Sequence, residues 1–259
     1  MVTFISEARR NWTREETTVA LYLYFIIPFQ KVSKSNPTIQ EYAELLERTP
    51  SALGMKIGNI GRLDNTLKIK NISGLSNGSK LDEQVWNHYQ GKWEQLYWDF
   101  EHIIAKLRKN SQKIPDSLDE QVYSFPEGKE KISQVAVRAN QHFFRSSVLA
   151  AYNQKCCITG IEMPELLVAS HIKPWKDDLD NRLNPRNGLC LNTLHDKAFD
   201  RGLITLDEQF RVVLSPLLLN TAETVKFFLP YENQEITLPE RLSPDLELLD
   251  FHRRHIFKR

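Results

Sequence analysis

Apolar residues recur at helical spacing through the first hundred positions, and after a polar stretch they give way to shorter runs. Val19, Ala20, Leu23 and Tyr24 lead to Ile27. Asn11 or Thr13 stands as the cap, Glu15 and Glu16 occupy the first turn, where the helix dipole favours acid, and Pro28 is the stop. Thr38 opens a second helix that turns Ile39, Tyr42, Ala43, Leu45 and Leu46 inward. Thr49-Pro50 reads as an N-cap followed by proline at the first helical position. The third helix then runs to about Gly61, with Leu53, Ile57 and Ile60 buried. Ser73 to Lys80 is a Gly/Ser/Asn loop. Leu81 to Lys109 reads as one long helix, interrupted at most near Gly91. Its aromatics (Trp86, Tyr89, Trp93, Tyr97, Trp98, Phe100) are expected to pack on neighbouring helices, with base stacking as the alternative.

The pattern changes after that. Residues 110–131 are polar and carry Pro115, Pro126 and Gly128, as a linker does. Ile132 to Tyr152 returns to helical spacing, with Ile132, Val135, Ala139, Phe143, Val148 and Tyr152 inward. Leu203–Leu206 and Phe210–Leu214 flank Asp207-Glu208-Gln209 and read as a hairpin. A last helix lies between Leu238 and His255. The expected class is α+β, with an all-helical unit (1–109), a linker (110–131) and a second unit with short strands (132–259). At 259 residues, each unit is long enough to bury its own core.

Composition narrows the function mainly by exclusion. Net charge is +1, so any basic surface for nucleic acid must be local, which disfavours a protein that simply coats it. No apolar run reaches the ~18 residues of a membrane span, and residues 1–10 lack the apolar core of a signal peptide. A cytoplasmic location is expected. Cys156, Cys157 and Cys190 form no Cys-x-x-Cys pair and read as small buried hydrophobes in a reducing compartment.

The chemistry is concentrated in three clusters. Ser170-His171-Ile172-Lys173-Pro174 is followed by Asn187-Gly188-Leu189 and then by Leu194-His195-Asp196-Lys197-Ala198-Phe199-Asp200. A lone His-Asn-His spacing is weak. Here it lies within further blocks: Arg138-x-x-Gln141-x-x-Phe144-Arg145, Cys157-Ile158-Thr159-Gly160, Asn184-Pro185-x-Asn187 and Asp200-Arg201-Gly202. Together these resemble the HNH, or ββα-metal, endonucleases, and most closely the restriction-type branch. Many of those relatives hold a structural zinc in two Cys-x-x-Cys pairs, so no zinc knuckle is expected here.

The resemblance implies a role for each residue. His171, ending the first strand, matches the general base that deprotonates water, a task suited to a neutral imidazole. Asn187 matches the residue that fixes the loop and orients the base. His195 matches a metal ligand on the following helix. Where many relatives carry Asp or His just before the base histidine, this chain has Ser170, a weak ligand, so the metal shell lacks one strong donor. Asp200 is the favoured replacement and Asp196 the rival. His195 and Asp200 are five positions apart, about 140° around an ideal helix, so the helix must stop near Phe199, before Gly202. One histidine, one carboxylate and water suit Mg²⁺, Mn²⁺ or Ni²⁺. Arg145, Lys173 and Arg201 are candidate phosphate contacts.

In the first unit, the opening Trp12-Thr13-Arg14-Glu15-Glu16 looks similar to Myb/SANT-type and related DNA-binding helices. A trihelical unit of that kind would present Lys56, Asn59 and Arg62 to the major groove. The resulting expectation is a restriction-type endonuclease acting on double-stranded DNA as a homodimer. Two alternatives stay open: a gated, nonspecific nuclease with an N-terminal sensor or docking unit, and a non-catalytic DNA-binding protein with a degenerate metal site.

Overall fold

A computed structural model describes residues 10–69, 78–110, 141–178, 180–220 and 222–259. Helix α1 (Arg14–Ile26) begins at a capping box: Thr13 accepts from the Glu16 N–H, and the Glu16 carboxylate accepts from the Thr13 N–H. Every residue from Glu16 to Phe25 is buried, so α1 is the central rod of the helical half and not a surface helix. Around it pack α3 (Pro50–Gly61), α5 (Lys80–Tyr89) and α6 (Trp93–Asn110), while α2 (Pro37–Leu45) lies against α3. A short α4 (Asn65–Ile69) follows α3. Thr49 and Pro50 start α3 as expected, and Asn36 caps α2.

The long helix expected over 81–109 is two helices. Ser79 caps α5, Asp82 completes its capping box, and the chain breaks at Gly91, where φ is +70°. The break lets both pieces pack on α1. Tyr22 stacks on Phe100 at 3.6 Å, and Trp86 and Trp93 both lie against Phe25. Of the aromatics of this region, Tyr89, Tyr97 and Phe100 are buried, Trp86 and Trp93 pack against the core, and Trp98 is exposed.

That packing removes the expected DNA-reading face. Lys56 is 3% exposed and ion-paired to the buried Asp82 of α5, with Trp12 against its ammonium. Arg62 pairs with Glu83 and also donates to the Ser79 carbonyl. The Oδ1 of Asn59 is buried. Helix α5 covers the surface that Lys56, Asn59 and Arg62 were expected to offer to the groove. The correction has a physical cause: positions 56 and 60 share a face with Leu53 and Ile57, and an acidic α5 supplies the buried partner.

The expected linker, and Arg138 with it, lies outside the described residues. From residue 141 to 151 the chain is helical (α7). Strands β1 (Leu167–His171) and β2 (Gly188–Asn192) pair antiparallel, with His171 opposite Gly188 and Leu167 opposite Asn192. Helix α8 (Thr193–Asp200) follows directly and folds back on both strands. Strands β3 (Ile204–Leu206) and β4 (Val212–Leu214) form the expected second hairpin. Helices α9 (Ala222–Phe228) and α10 (Leu246–His255) complete the fold, α10 packing on β3. The class is therefore α+β, with helices first and small strands in the second half.

The described parts of the two halves share one hydrophobic cluster, which runs from α1 through Phe143 to the hairpins. Arg241, with no exposed surface, reaches from the second half to the C-terminal end of α1. It donates to the Ile27 carbonyl at 2.5 Å and lies 4.4 Å from the Tyr24 ring. A cation there complements the helix dipole.

Candidate active site

The first hairpin places its chemistry through three local devices. The loop between β1 and β2 is closed by Asn187, which is fully buried. Its Oδ1 accepts from the Lys173 N–H at 2.8 Å, and its Nδ2 donates to the carbonyls of Lys173 and Asn181. Residues just after His171 and in the returning arm are thus tied to one side chain. Next, Asn192 caps α8, its Oδ1 accepting from the Leu194 and His195 N–H groups. Finally, α8 ends in a Schellman turn: Leu203 N–H donates to Ala198 O and Gly202 N–H to Phe199 O, with Gly202 at φ +67°. His252 of α10 braces this end, stacking on Phe199 at 3.8 Å and donating from Nε2 to the Phe199 carbonyl.

His171 sits at the lip of this frame. Its Nε2 faces the Arg182 carbonyl at 3.0 Å. A carbonyl only accepts, so Nε2 carries the proton and Nδ1 is left as the basic nitrogen. The ring stacks on Phe144 of α7 at 3.8 Å with Trp175 at its edge. Burial pushes its pKa below the ordinary histidine value, with the Arg182 hydrogen bond opposing, so the ring is neutral near pH 7.

A hollow of about 300 Å³ opens beside His171, and Ser170, Asp196 and Asp200 also line it. The two aspartates stand four apart on α8 and so share a face. Burial raises both carboxyl pKa values. At Asp200 the Asp196 charge adds to the rise, while Lys197 and Arg201 oppose it. Ser170 Oγ is buried and makes no well-formed hydrogen bond, although its hydroxyl lies near enough to Asp196 to favour the charged form.

His195 is not brought to this hollow. Its ring, 3% exposed, packs against Phe228 and Tyr231. Nδ1 donates to Asn192 Oδ1, and Nε2 is buried without a partner. The same Asn192 donates from Nδ2 to Thr159 Oγ1 at 3.1 Å and approaches the Cys156 sulfur at 3.7 Å. His195 thus belongs to a hydrogen-bonded knot behind α8 and is not among the residues lining the hollow beside His171. The reason is helical phase: Asp196, one residue on, is turned about 100° and faces the hollow instead.

The other expected contacts divide. Arg201 is exposed, and its charge acts on Asp200. Arg145 donates to the carbonyls of Leu167 and Pro164 and borders a second hollow. Lys173 pairs with Asp178 at 3.1 Å over the Phe251 ring and lines neither hollow. Sequence reasoning gave no role to Arg182 or Trp175. The first holds the base by its carbonyl, and the second lines both hollows. The Trp175 that follows His-Ile-Lys-Pro was the available signal for the second. Nothing local marked the first.

A hairpin, a closing loop and a crossing helix thus gather a neutral histidine and two carboxylates in a ββα arrangement. Residues 156–207 match the profile of the family described as HNH endonuclease. No curated protein matches the chain. The matched segment supports nuclease activity of the HNH type. Such nucleases generally use a divalent metal ion and act on DNA. Among the described residues, no helix is long and apolar enough to cross a membrane.

Proposed function

We propose that the protein is a metal-dependent DNA endonuclease that hydrolyses phosphodiester bonds with His171 as general base. The observation that carries this reading is the shared hollow, in which a neutral His171 faces the Asp196–Asp200 pair. Nδ1 of His171 takes the proton of the attacking water. The Phe144 stack and the Arg182 carbonyl hold the ring against rotation as it does so. Asn187 acts through the loop, holding the Asn181 carbonyl, one residue before the Arg182 carbonyl that His171 meets.

The residues fit a divalent ion. Asp196 and Asp200 offer hard oxygen donors on one face of α8. Among the described residues no three His, Cys, Asp or Glu side chains are close enough to enclose an ion, so water and phosphate oxygens complete the shell. When bound, Mg²⁺, Mn²⁺ or Ni²⁺ supplies charge stabilisation at the phosphorus and the leaving oxygen. Arg201 binds the flanking phosphate.

For the cellular role, restriction of foreign or modified double-stranded DNA rests on the resemblance of the motif blocks. Cutting both strands then takes two copies or two successive nicks, and a two-fold homodimer is the arrangement inferred. One observation favours the gated, nonspecific alternative. The helical half keeps Lys56 and Arg62 in ion pairs, which suits a docking or sensor unit better than a groove reader.

Incubation of unmodified and cytosine-modified plasmid with each metal, beside His171→Ala, tests both readings. Discrete fragments absent from the variant support the restriction reading, and a smear supports the nonspecific effector. Equal products from both proteins, or none with any metal, overturn the assignment of His171.

A further inference from the structure

We infer that the second hollow is a nucleobase subsite, which takes one unstacked base of the nucleotide beside the scissile phosphate. The inference rests on the nuclease reading above and adds to it which part of the substrate the site grips.

The hollow, about 350 Å³, lies between α7, β1 and the loop after β1, and it shares Val168, Ala169, His171 and Trp175 with the His171–aspartate hollow. A group placed in it therefore adjoins the reacting phosphate. Its surfaces are flat and apolar. Phe144 and His171 form one aromatic stack, 10° from parallel. Trp175 stands at 80° to His171 as a wall, and the small Ala169 also lines the hollow. The rim is polar at Gln141 and Arg145. Gln141 is exposed, and a carboxamide offers the donor–acceptor pair that reads a base edge. The Arg145 guanidinium is held in one orientation by two carbonyls.

Charge separates the two hollows. Asp196 and Asp200 line the first, while no carboxylate lines the second. The first suits a cation, and the second suits a neutral planar ring whose sugar-phosphate runs past Arg145 and His171. A base inside a duplex cannot enter such a slot without leaving its stack. The site should therefore favour single-stranded, mismatched or locally opened DNA over an intact duplex.

The test walks one abasic nucleotide along an oligonucleotide. It reads Kd by fluorescence anisotropy in EDTA, then cleavage with metal, for wild type, Trp175→Ala, Trp175→Phe and Gln141→Ala. At one position the wild type should lose about 10-fold in affinity when the base is removed, the scale of one base–aromatic stack. Trp175→Ala should bind the intact strand as weakly as the abasic one, and Trp175→Phe should keep most of the discrimination. Gln141→Ala, at an exposed position outside the core, should level the preference among the four bases there. That arm holds even if the tryptophan variant unfolds.

Equal abasic penalties in wild type and Trp175→Ala, with base preference unchanged in Gln141→Ala, overturn the subsite. Cleavage by the wild type would then leave the nuclease reading standing. Coupling seen in binding with no cleavage under any metal supports the subsite and overturns the nuclease reading. Absence of both overturns both.

Discussion

Exchanging the roles of two neighbouring residues on α8 gives the sharpest check on the site. His195 and Asp196 differ by one position, yet one lies behind the helix and the other faces the hollow. His195→Ala removes a ring that is 3% exposed, its contacts with Phe228 and Tyr231, and the hydrogen bond from Nδ1 to Asn192. Truncating a buried Phe or Trp costs about 3–5 kcal/mol. The imidazole is smaller and already buries an unpartnered Nε2, so a loss of about 2–3 kcal/mol is expected. In a chain of this size that corresponds to a fall of roughly 5–10 °C in Tm. Cleavage well below that Tm should stay within a few-fold of wild type. Asp196→Asn is isosteric and removes a charge that burial disfavours, so stability should change by less than about 1 kcal/mol. Metal-borne charge stabilisation is worth several kcal/mol, so single-turnover cleavage should fall about 100-fold or more. Mn²⁺ binding without DNA, measured by calorimetry, should weaken in Asp196→Asn and hold in His195→Ala. A folded His195→Ala that loses Mn²⁺ and cleavage, beside an Asp196→Asn that keeps both, would refute the placement of the two side chains.

Four further outcomes are expected. Lys56→Met leaves the buried Asp82 without its cation and should cost about 3–5 kcal/mol by urea denaturation, with DNA affinity unchanged in the folded protein. Gly202→Ala drives a methyl into the Ile256 carbonyl oxygen at a φ of +67°, so expression and Tm should both drop sharply, whereas Arg201→Ala should cost DNA affinity and little Tm. Gly188→Ala pushes a methyl into the Val148 side chain and should cost about 1–3 kcal/mol as α7 is forced off the hairpin. His252 is held neutral by burial, with its pKa pushed down from 6.5 to about 4. The unfolded chain binds that proton below pH 6.5 while the folded chain refuses it until about pH 4. Its contribution is therefore complete above pH 6.5 and lost as pH falls towards 4, by about 3 kcal/mol, and His252→Gln should flatten that acid limb by about one proton.

Much of this architecture is legible in the amino-acid sequence because its determinants are local. Thr49-Pro50, Thr13 with Glu16, and Ala198 to Gly202 are caps and stops that act over four or five residues, and the helices begin and end close to where they say. Asn187 is legible for a different reason: a buried carboxamide that ties two arms of one loop works at a fixed separation along the chain. Two other readings turn on an acidic partner, one distant in sequence and one close by. Lys56 reads as a groove contact until Asp82 is brought over it, and Lys173 reads as a phosphate ligand until Asp178 folds back on it. His195 is the instructive case. Counting from His171 and Asn187 locates the helix correctly, but spacing along the chain fixes a helical position only to within about 100° per residue. Which of two adjacent polar residues faces the site is decided behind the helix, where Asn192, Thr159, Phe228 and Tyr231 make a place for an imidazole that a carboxylate would find costly. With the histidine captured there, the exposed face of α8 is left with Asp196 and Asp200. On the proposal made above, a second carboxylate one helical turn away would supply the strong donor that Ser170 lacks, and the ligand set would be all oxygen.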